Sequence, residues 1–192
     1  MSRLCLERIY YPVLTLGYGK RLGLWVRGCS RNCYHCTSPE LQDYGGETQE
    51  VADIIRAIPE DFQADGLTIS GGEPFEQAEG ILELIHWFRE KISDDVLVYT
   101  GYTLAELQAR EDPLTDQILR EIAVLIDGPY VEALNDNRGI RGSSNQKIYI
   151  WKYPERYRDA DGGERTVQFV GEEHSLLQIG VPPKSENIDG HE

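Results

Sequence analysis

The chain has 192 residues, 40% of them apolar and 27% charged, with a formal net charge of −14. That length suits one domain with a sizeable buried core, and the composition argues against a disordered chain. The acidity argues against non-specific binding to nucleic acid or to an anionic membrane.

Taken in order, the chain alternates short apolar runs with helical stretches, without internal repeats or low-complexity tracts. Residues 9–16 read as an extended lead-in interrupted by Pro12 and ended by Gly17 and Gly19. Residues 22–27 form the first expected strand, and three cysteines follow it at once. Val51, Ile54, Ile55 and Ile58 have helical spacing, which predicts a helix over 48–58 with Thr48 as N-cap and Pro59 as stop. A second strand over 67–70 ends in Gly71-Gly72-Glu73-Pro74, and 76–92 gives the longest apolar helical face. A third strand over 96–99 ends in Thr100-Gly101, and Thr103 with Glu106 resembles a capping box opening a helix over 103–110. Helical material resumes over 113–121, and a fourth strand over 123–126 ends in Asp127-Gly128-Pro129. Residues 146–151 alternate as a strand does, and 167–170 with 176–179 read as a hairpin joined through 171–175. From Pro182 the chain is polar and is expected to fray. The domain reading is one core over 1–180 with a flexible tail over 181–192.

Strand–helix alternation implies parallel strands with right-handed helical crossovers. The fold class is therefore α/β. A complete eight-unit barrel takes ~250 residues, so a partial barrel with a small C-terminal hairpin is expected. Function in such folds gathers on loops after the C-terminal ends of strands. The cysteine loop, Gly71-Gly72-Glu73, Thr100-Gly101 and Asp127-Gly128 all hold that position, which points to one active site.

Cys29, Cys33 and Cys36 are spaced C-x3-C-x2-C. Three thiolates so close can hold three irons of an iron–sulfur cube and leave the fourth iron open, as catalysis requires. Read alone, the trio is also most of a zinc site with His35 or Cys5 as fourth ligand. Zinc motifs more often come as paired C-x2-C units, and no second pair exists here. Cys5 is expected to be a small buried or edge residue. No secretory segment or membrane-length apolar run is visible, which predicts a cytoplasmic protein with reduced thiols.

Gly71-Gly72 before Pro74 makes a tight strand-to-helix turn, and the missing side chains would also let a ligand approach the backbone beside Glu73. Thr100 either ends a strand or bonds a ligand hydroxyl. Asp127 is a turn-former whose functional reading depends on its place on the rim. His35 is expected to pack beside a cofactor. The aromatic run Tyr149, Trp151, Tyr153 and Tyr157 is by default core and edge packing, with a docking surface as the sharper alternative. Up to Tyr44 the chain carries six basic residues (Arg3, Arg8, Lys20, Arg21, Arg27, Arg31) against three acidic ones, a basic island in an acidic protein.

The cysteine loop after the first strand and Ser70-Gly-Gly-Glu-Pro74 after the second resemble the radical S-adenosylmethionine superfamily. Within it, Leu125-Ile-Asp-Gly-Pro-Tyr130 and Arg141-Gly-Ser-Ser-Asn-Gln146 resemble the activating proteins of anaerobic ribonucleotide reductase. The resemblance runs from about Ile9 to Ile150 and implies a minimal radical S-adenosylmethionine core. It implies that Cys29, Cys33 and Cys36 bind a [4Fe-4S] cluster whose open iron takes the amino and carboxylate groups of S-adenosylmethionine. Gly71, Gly72 and Glu73 would receive the amino end. His35 would lie near the adenine and Thr100 near the ribose or carboxylate, with Asp127 a further cofactor-side candidate on the rim. Reductive cleavage would give a 5′-deoxyadenosyl radical that abstracts a hydrogen atom.

The implied partners are a glycyl radical enzyme as protein substrate and a flavodoxin or ferredoxin as electron donor, drawn to Arg27 and Arg31. Two other functions compete: a radical enzyme modifying a small molecule or a ribosomal peptide, and a non-catalytic zinc or electron-transfer module. With no obvious lid, the site mouth is expected to be open, which favours a macromolecular substrate.

Overall fold

The computed structural model describes residues 2–171 and 176–184. The expected hairpin link over 172–175 and most of the expected tail, 185–192, lie outside the described residues.

The architecture is α/β: one seven-stranded mixed sheet and a separate two-stranded hairpin. The strands are β1 (Arg3–Val13), β2 (Arg21–Val26), β3 (Thr48–Glu50), β4 (Gly66–Gly71), β5 (Val96–Tyr99), β6 (Val124–Asp127) and β7 (Lys147–Ile150), in the order β3-β1-β2-β4-β5-β6-β7. The four central strands β2, β4, β5 and β6 run parallel, and β1 and β7 flank them antiparallel. The helices are α1 (Val51–Arg56), α2 (Ala78–Lys91), α3 (Leu104–Gln108) and α4 (Pro113–Glu121). Ile81, Leu84, Ile85 and Phe88 of α2, at helical spacing, are buried in one core cluster with Leu24, Leu67, Ile69 and Val98 of the sheet. Among the described residues no helix is long and apolar enough to cross a membrane.

Two expectations change. The lead-in begins earlier and is an eleven-residue strand, β1. Pro12 does not break it because it falls in an irregular stretch of the β1–β2 register, between Tyr10 and Val13, where the regular ladder is already interrupted. Thr48 is not an N-cap. Residues 48–50 pair with Arg3–Cys5 as β3, and Arg3 holds the turn by donating to Thr48 Oγ1 (3.1 Å) and Thr48 O (2.9 Å). Helix α1 therefore starts at Val51, after Glu50, which makes no side-chain cap bond.

The capping box of α3 is present: Thr103 accepts from Glu106 N, and Glu106 accepts from Thr103 N at 2.6 Å. The hairpin forms from β8 (Gln168–Gly171) and β9 (Leu176–Ile179), antiparallel. Cys5 is buried in β1. The aromatic run divides: Tyr157 is fully buried, while Trp151 and Tyr153 remain exposed.

At the N-terminal ends of the parallel strands sits a buried charge network. Arg21, fully buried, donates to Thr68 Oγ1 (2.7 Å), Leu67 O (2.6 Å), Asp95 O (2.9 Å) and Tyr157 Oη (3.0 Å), and pairs with Asp95 Oδ1 at 3.2 Å. Tyr157 Oη in turn donates to Asp95 (2.6 Å), and Arg156 pairs with the other carboxylate oxygen (2.6 Å). The opposite, C-terminal end of the strands is left for function.

Candidate functional site

The four loops at the C-terminal ends of β2, β4, β5 and β6 converge on one cavity of about 610 Å³. Its lining includes Cys29, Cys33, Cys36, Gly71, Gly72 and Thr100. All three cysteines are free and partly buried, and burial pushes the Cys29 and Cys33 thiols up. The loop turns tightly to bring them to one cavity: Asn32 and His35 adopt left-handed backbone, with φ of 44° and 54°. A non-glycine residue held in that region is a strain that surrounding structure must impose.

The root of the loop is clamped. Gly28 N donates to Leu41 O (2.8 Å) and Cys29 N to Gln42 O (2.9 Å), which closes the loop on its own return. Gly72 N donates to Val26 O (2.7 Å) and Glu73 N to Gly28 O (2.8 Å). A Cβ on Gly72 would stand 2.2 Å from Gly28 O, and one on Gly71 2.3 Å from Val26 O. The glycine pair therefore serves first to let two backbone turns meet, and only its remaining surface faces the cavity.

Glu76 completes the clamp. Its carboxylate accepts from Ser30 N (3.2 Å), from Tyr102 Oη (2.7 Å), and from the hydroxyls of Ser30 and Tyr44. These bonds favour the anion and hold its pKa down despite partial burial. Ser30 follows the first cysteine and Tyr44 lies beyond the third, so one carboxylate fastens both ends of the loop. Glu76→Ala is expected to remove about 1–3 kcal/mol of local stability. Amide exchange across 29–44 in the metal-free protein should then accelerate while α2 keeps its protection; unchanged exchange would count against this role.

The other expected site residues are placed differently. Glu73 is fully buried and does not line the cavity; it accepts from Phe75 N (3.1 Å), Thr100 Oγ1 (2.8 Å) and Gly101 N (2.8 Å). Burial outweighs these bonds and pushes its carboxyl up to about 7. Its oxygens are thus committed to the turn, and Thr100 spends its hydroxyl hydrogen on Glu73. Asp127 is buried and ties loops together, accepting from Leu104 N (2.6 Å) and Lys147 N (3.1 Å). It too lies outside the cavity lining. His35 is half-exposed, stacks on Tyr34 with ring centroids 4.0 Å apart, and bonds Glu132 through Nδ1. That pairing fixes the cysteine loop to the turn at Glu132–Leu134 and keeps the ring out of the cavity lining.

Nor is the basic island a bare positive face. Arg21 is buried at the N-terminal ends of the parallel strands, Arg27 pairs with Glu7 (2.9 Å) and Asp43 (3.0 Å), and Arg31 pairs with Glu106 (3.0 Å). Counting charges up to Tyr44 includes Glu7 and Asp43 but not their pairing with Arg27, and it leaves out Glu106 and Asp95, which lie far along the chain.

Sequence reasoning also missed Tyr130, Gly142 and Gln146 as cavity-lining residues, and Leu176 to Val181 as a further wall. Gln146 accepts from Gly142 N (2.7 Å) and donates to Gly128 O (2.8 Å), so it knits two lining loops together. The Leu125–Tyr130 motif was a signal for Tyr130 and the Arg141–Gln146 motif for Gly142 and Gln146; the wall from Leu176 had none.

Among the described residues, no group of three His, Cys, Asp or Glu converges to hold a single metal ion. A cube of iron and sulfide does not require convergence, because each cysteine binds a different iron. The donor set is thus three thiols without a fourth protein ligand at the same point.

The family described as "4Fe-4S single cluster domain" matches residues 15–149. Curated proteins similar to this chain include the anaerobic ribonucleoside-triphosphate reductase-activating protein of Vibrio cholerae, 36% identical over 151 residues, covering 73% of this chain and 94% of the relative. The protein of the same name from Escherichia coli K12 is 35% identical, covering 73% and 95% respectively. The one from Enterobacteria phage T4 is 26% identical, covering 77% and 97%.

Proposed function

The chain belongs to the family of anaerobic ribonucleoside-triphosphate reductase-activating proteins, and we propose that it installs a glycyl radical on such a reductase, using S-adenosylmethionine at a [4Fe-4S] cluster. The observation that carries this reading is the placement of three free cysteines on one cavity, together with the backbone of Gly71, Gly72, Thr100 and Gly101.

The donor set fits the cluster. Three thiolates would hold three irons and leave the fourth for a substrate, whereas a structural zinc site closes with four protein ligands. His35 is engaged by Glu132 and Cys5 is buried in β1, so neither offers that fourth ligand. When bound, the reduced cluster and S-adenosylmethionine together supply a 5′-deoxyadenosyl radical that takes a hydrogen atom from a glycine Cα.

The chain's own residues supply placement and exclusion of water. Cys29, Cys33 and Cys36 would hold the cluster, and Gly71, Gly72, Thr100 and Gly101 line the same cavity, where the glycines' missing side chains would let an amino acid's polar end approach closely. Glu73, Glu76 and Asp127 act as positioning residues, holding the turns from which those groups project. His35 steadies the cysteine loop through Glu132. The reductant would be a low-potential one-electron donor of the flavodoxin or ferredoxin kind; Arg27 and Arg31, each paired with carboxylates, present it with a partly neutralised surface.

The test is spectroscopic. The protein, incubated anaerobically with reductant, S-adenosylmethionine and its reductase, should give a doublet electron paramagnetic resonance signal on the partner. The doublet comes from the one remaining α-hydrogen, so α-deuterated glycine in the partner should collapse it. Turnover of a free small molecule with no radical on the partner would refute the reading.

A further inference from the structure

The family match ends at residue 149, yet Leu176 to Val181 line the same cavity as the three cysteines. This wall is held at both ends. On one side Gln168 accepts from Leu14 N (3.1 Å) and donates to Pro12 O (2.9 Å), and Thr15 Oγ1 donates to Ile179 O (3.0 Å). Val170, Leu177 and Ile179 pack there around Val13 and Leu16. On the other side Asn135 Nδ2 donates to Pro182 O (3.2 Å), and Lys184 N donates to Asn137 Oδ1 (2.7 Å). Gly180 and Val181, between these moorings, face the cavity. The hairpin and the segment after it thus form a strap along the site, moored to the end of β1 and to the loop after Leu134.

The strap presents apolar side chains to solvent. Leu176 is 65% exposed although it lines the cavity, which places it at the mouth. Phe169 is 60% exposed. The register pairs Phe169 with Gln178 and Gly171 with Leu176, so Phe169 and Leu176 share one hairpin face on a diagonal. These are the two large apolar side chains that the hairpin leaves exposed, and Leu176 brings them to the edge of the cavity, where a polypeptide entering it would cover them.

We propose that the strap is the substrate-side wall of the site, and that Leu176 and Phe169 hold an apolar side chain flanking the glycine of the partner's polypeptide. This rests on the reading above that the substrate is a polypeptide. Continuity fixes the occupant: Leu176 belongs both to the exposed patch and to the cavity lining, so a chain entering there lies across it. The strap would then set which polypeptide the site accepts, a feature that the family's matched region does not contain.

The test uses the full chain, reconstituted anaerobically with iron and sulfide and supplied with reductant, S-adenosylmethionine and the reductase. Leu176→Asp and Phe169→Asp are each expected to lower the partner radical formed per S-adenosylmethionine cleaved by about tenfold, with recovery at higher partner concentration. Leu176→Met, which keeps an apolar contact, should stay near the wild-type ratio. Both positions are mostly exposed, so unchanged thermal melting should accompany the loss. A Leu176→Asp ratio equal to wild type would overturn the wall and leave the activase reading intact. No partner radical with the unaltered chain would overturn both. Self-association of the chain that Phe169→Asp abolishes would assign the patch to a second copy and overturn the proposal alone.

Discussion

Cys33→Ser is expected to yield a protein that assembles no [4Fe-4S] cluster, and Cys29→Ser and Cys36→Ser should behave alike. With three ligands for a four-iron cube there is no spare donor, and a serine hydroxyl is neither as soft nor as easily deprotonated as a thiol. The structure offers no substitute: among the described residues no further cysteine lines the cavity, and His35 is turned to Glu132. Cys5→Ser is the control. Cys5 is buried in β1, with Gly46 packed so near that a Cβ there would stand 2.7 Å from its sulfur. Its loss should cost only a little stability and leave the cluster in place. Iron and sulfide content and visible absorbance after anaerobic reconstitution measure both outcomes. A full cluster in Cys33→Ser would remove the foundation of the functional reading.

What the sequence showed of this site, and what it hid, divides along a physical line. The four parallel strands were legible because each joins a short apolar run to a glycine-bearing turn, as at Gly71-Gly72 and Asp127-Gly128. Strand β3 was not legible, because Thr48-Gln49-Glu50 has no apolar signal and becomes a strand only through pairing with Arg3–Cys5. The same holds for polar residues on the rim. A carboxylate beside a turn reads alike whether it faces a ligand or the backbone, and tertiary packing turned Glu73 and Asp127 toward N–H groups. Glu76 drew no notice because its partners, Ser30, Tyr44 and Tyr102, come from three separate segments. The basic island failed similarly: counting charges along a segment says nothing of Glu106, which neutralises Arg31 from another element.

A chain ended at Ile150, close to where the family match stops, is expected not to fold. Tyr157 and Ala160 belong to the core cluster of Leu97, Val124 and Ile126, and Tyr157 is fully buried. Losing a buried aromatic side chain costs about 3–5 kcal/mol. Truncation does more, because Arg21 and Asp95 lie beneath it: Tyr157 Oη joins them, and Arg156 pairs with the second oxygen of Asp95. The buried Arg21–Asp95 pair itself remains, but losing the hydrogen-bond partners around it costs a further ~1–3 kcal/mol. Set against the ~5–15 kcal/mol that holds a domain together, the sum is comparable to the whole of a marginal domain's stability. Tyr157→Phe isolates the polar part, since the ring stays and only the hydroxyl between Arg21 and Asp95 is lost. That variant should fold but lose about 1–3 kcal/mol in urea denaturation of the metal-free protein. Asp95→Asn, which leaves Arg21 buried without its counter-charge, should lose more than Tyr157→Phe. A folded, wild-type-like protein ending at Ile150 would mean that the extension only decorates the core. The geometry argues the reverse: the segment that leads to the cavity's strap first closes the opposite end of the sheet, so its anchorage at Tyr157 is a condition of the wall that Leu176 provides.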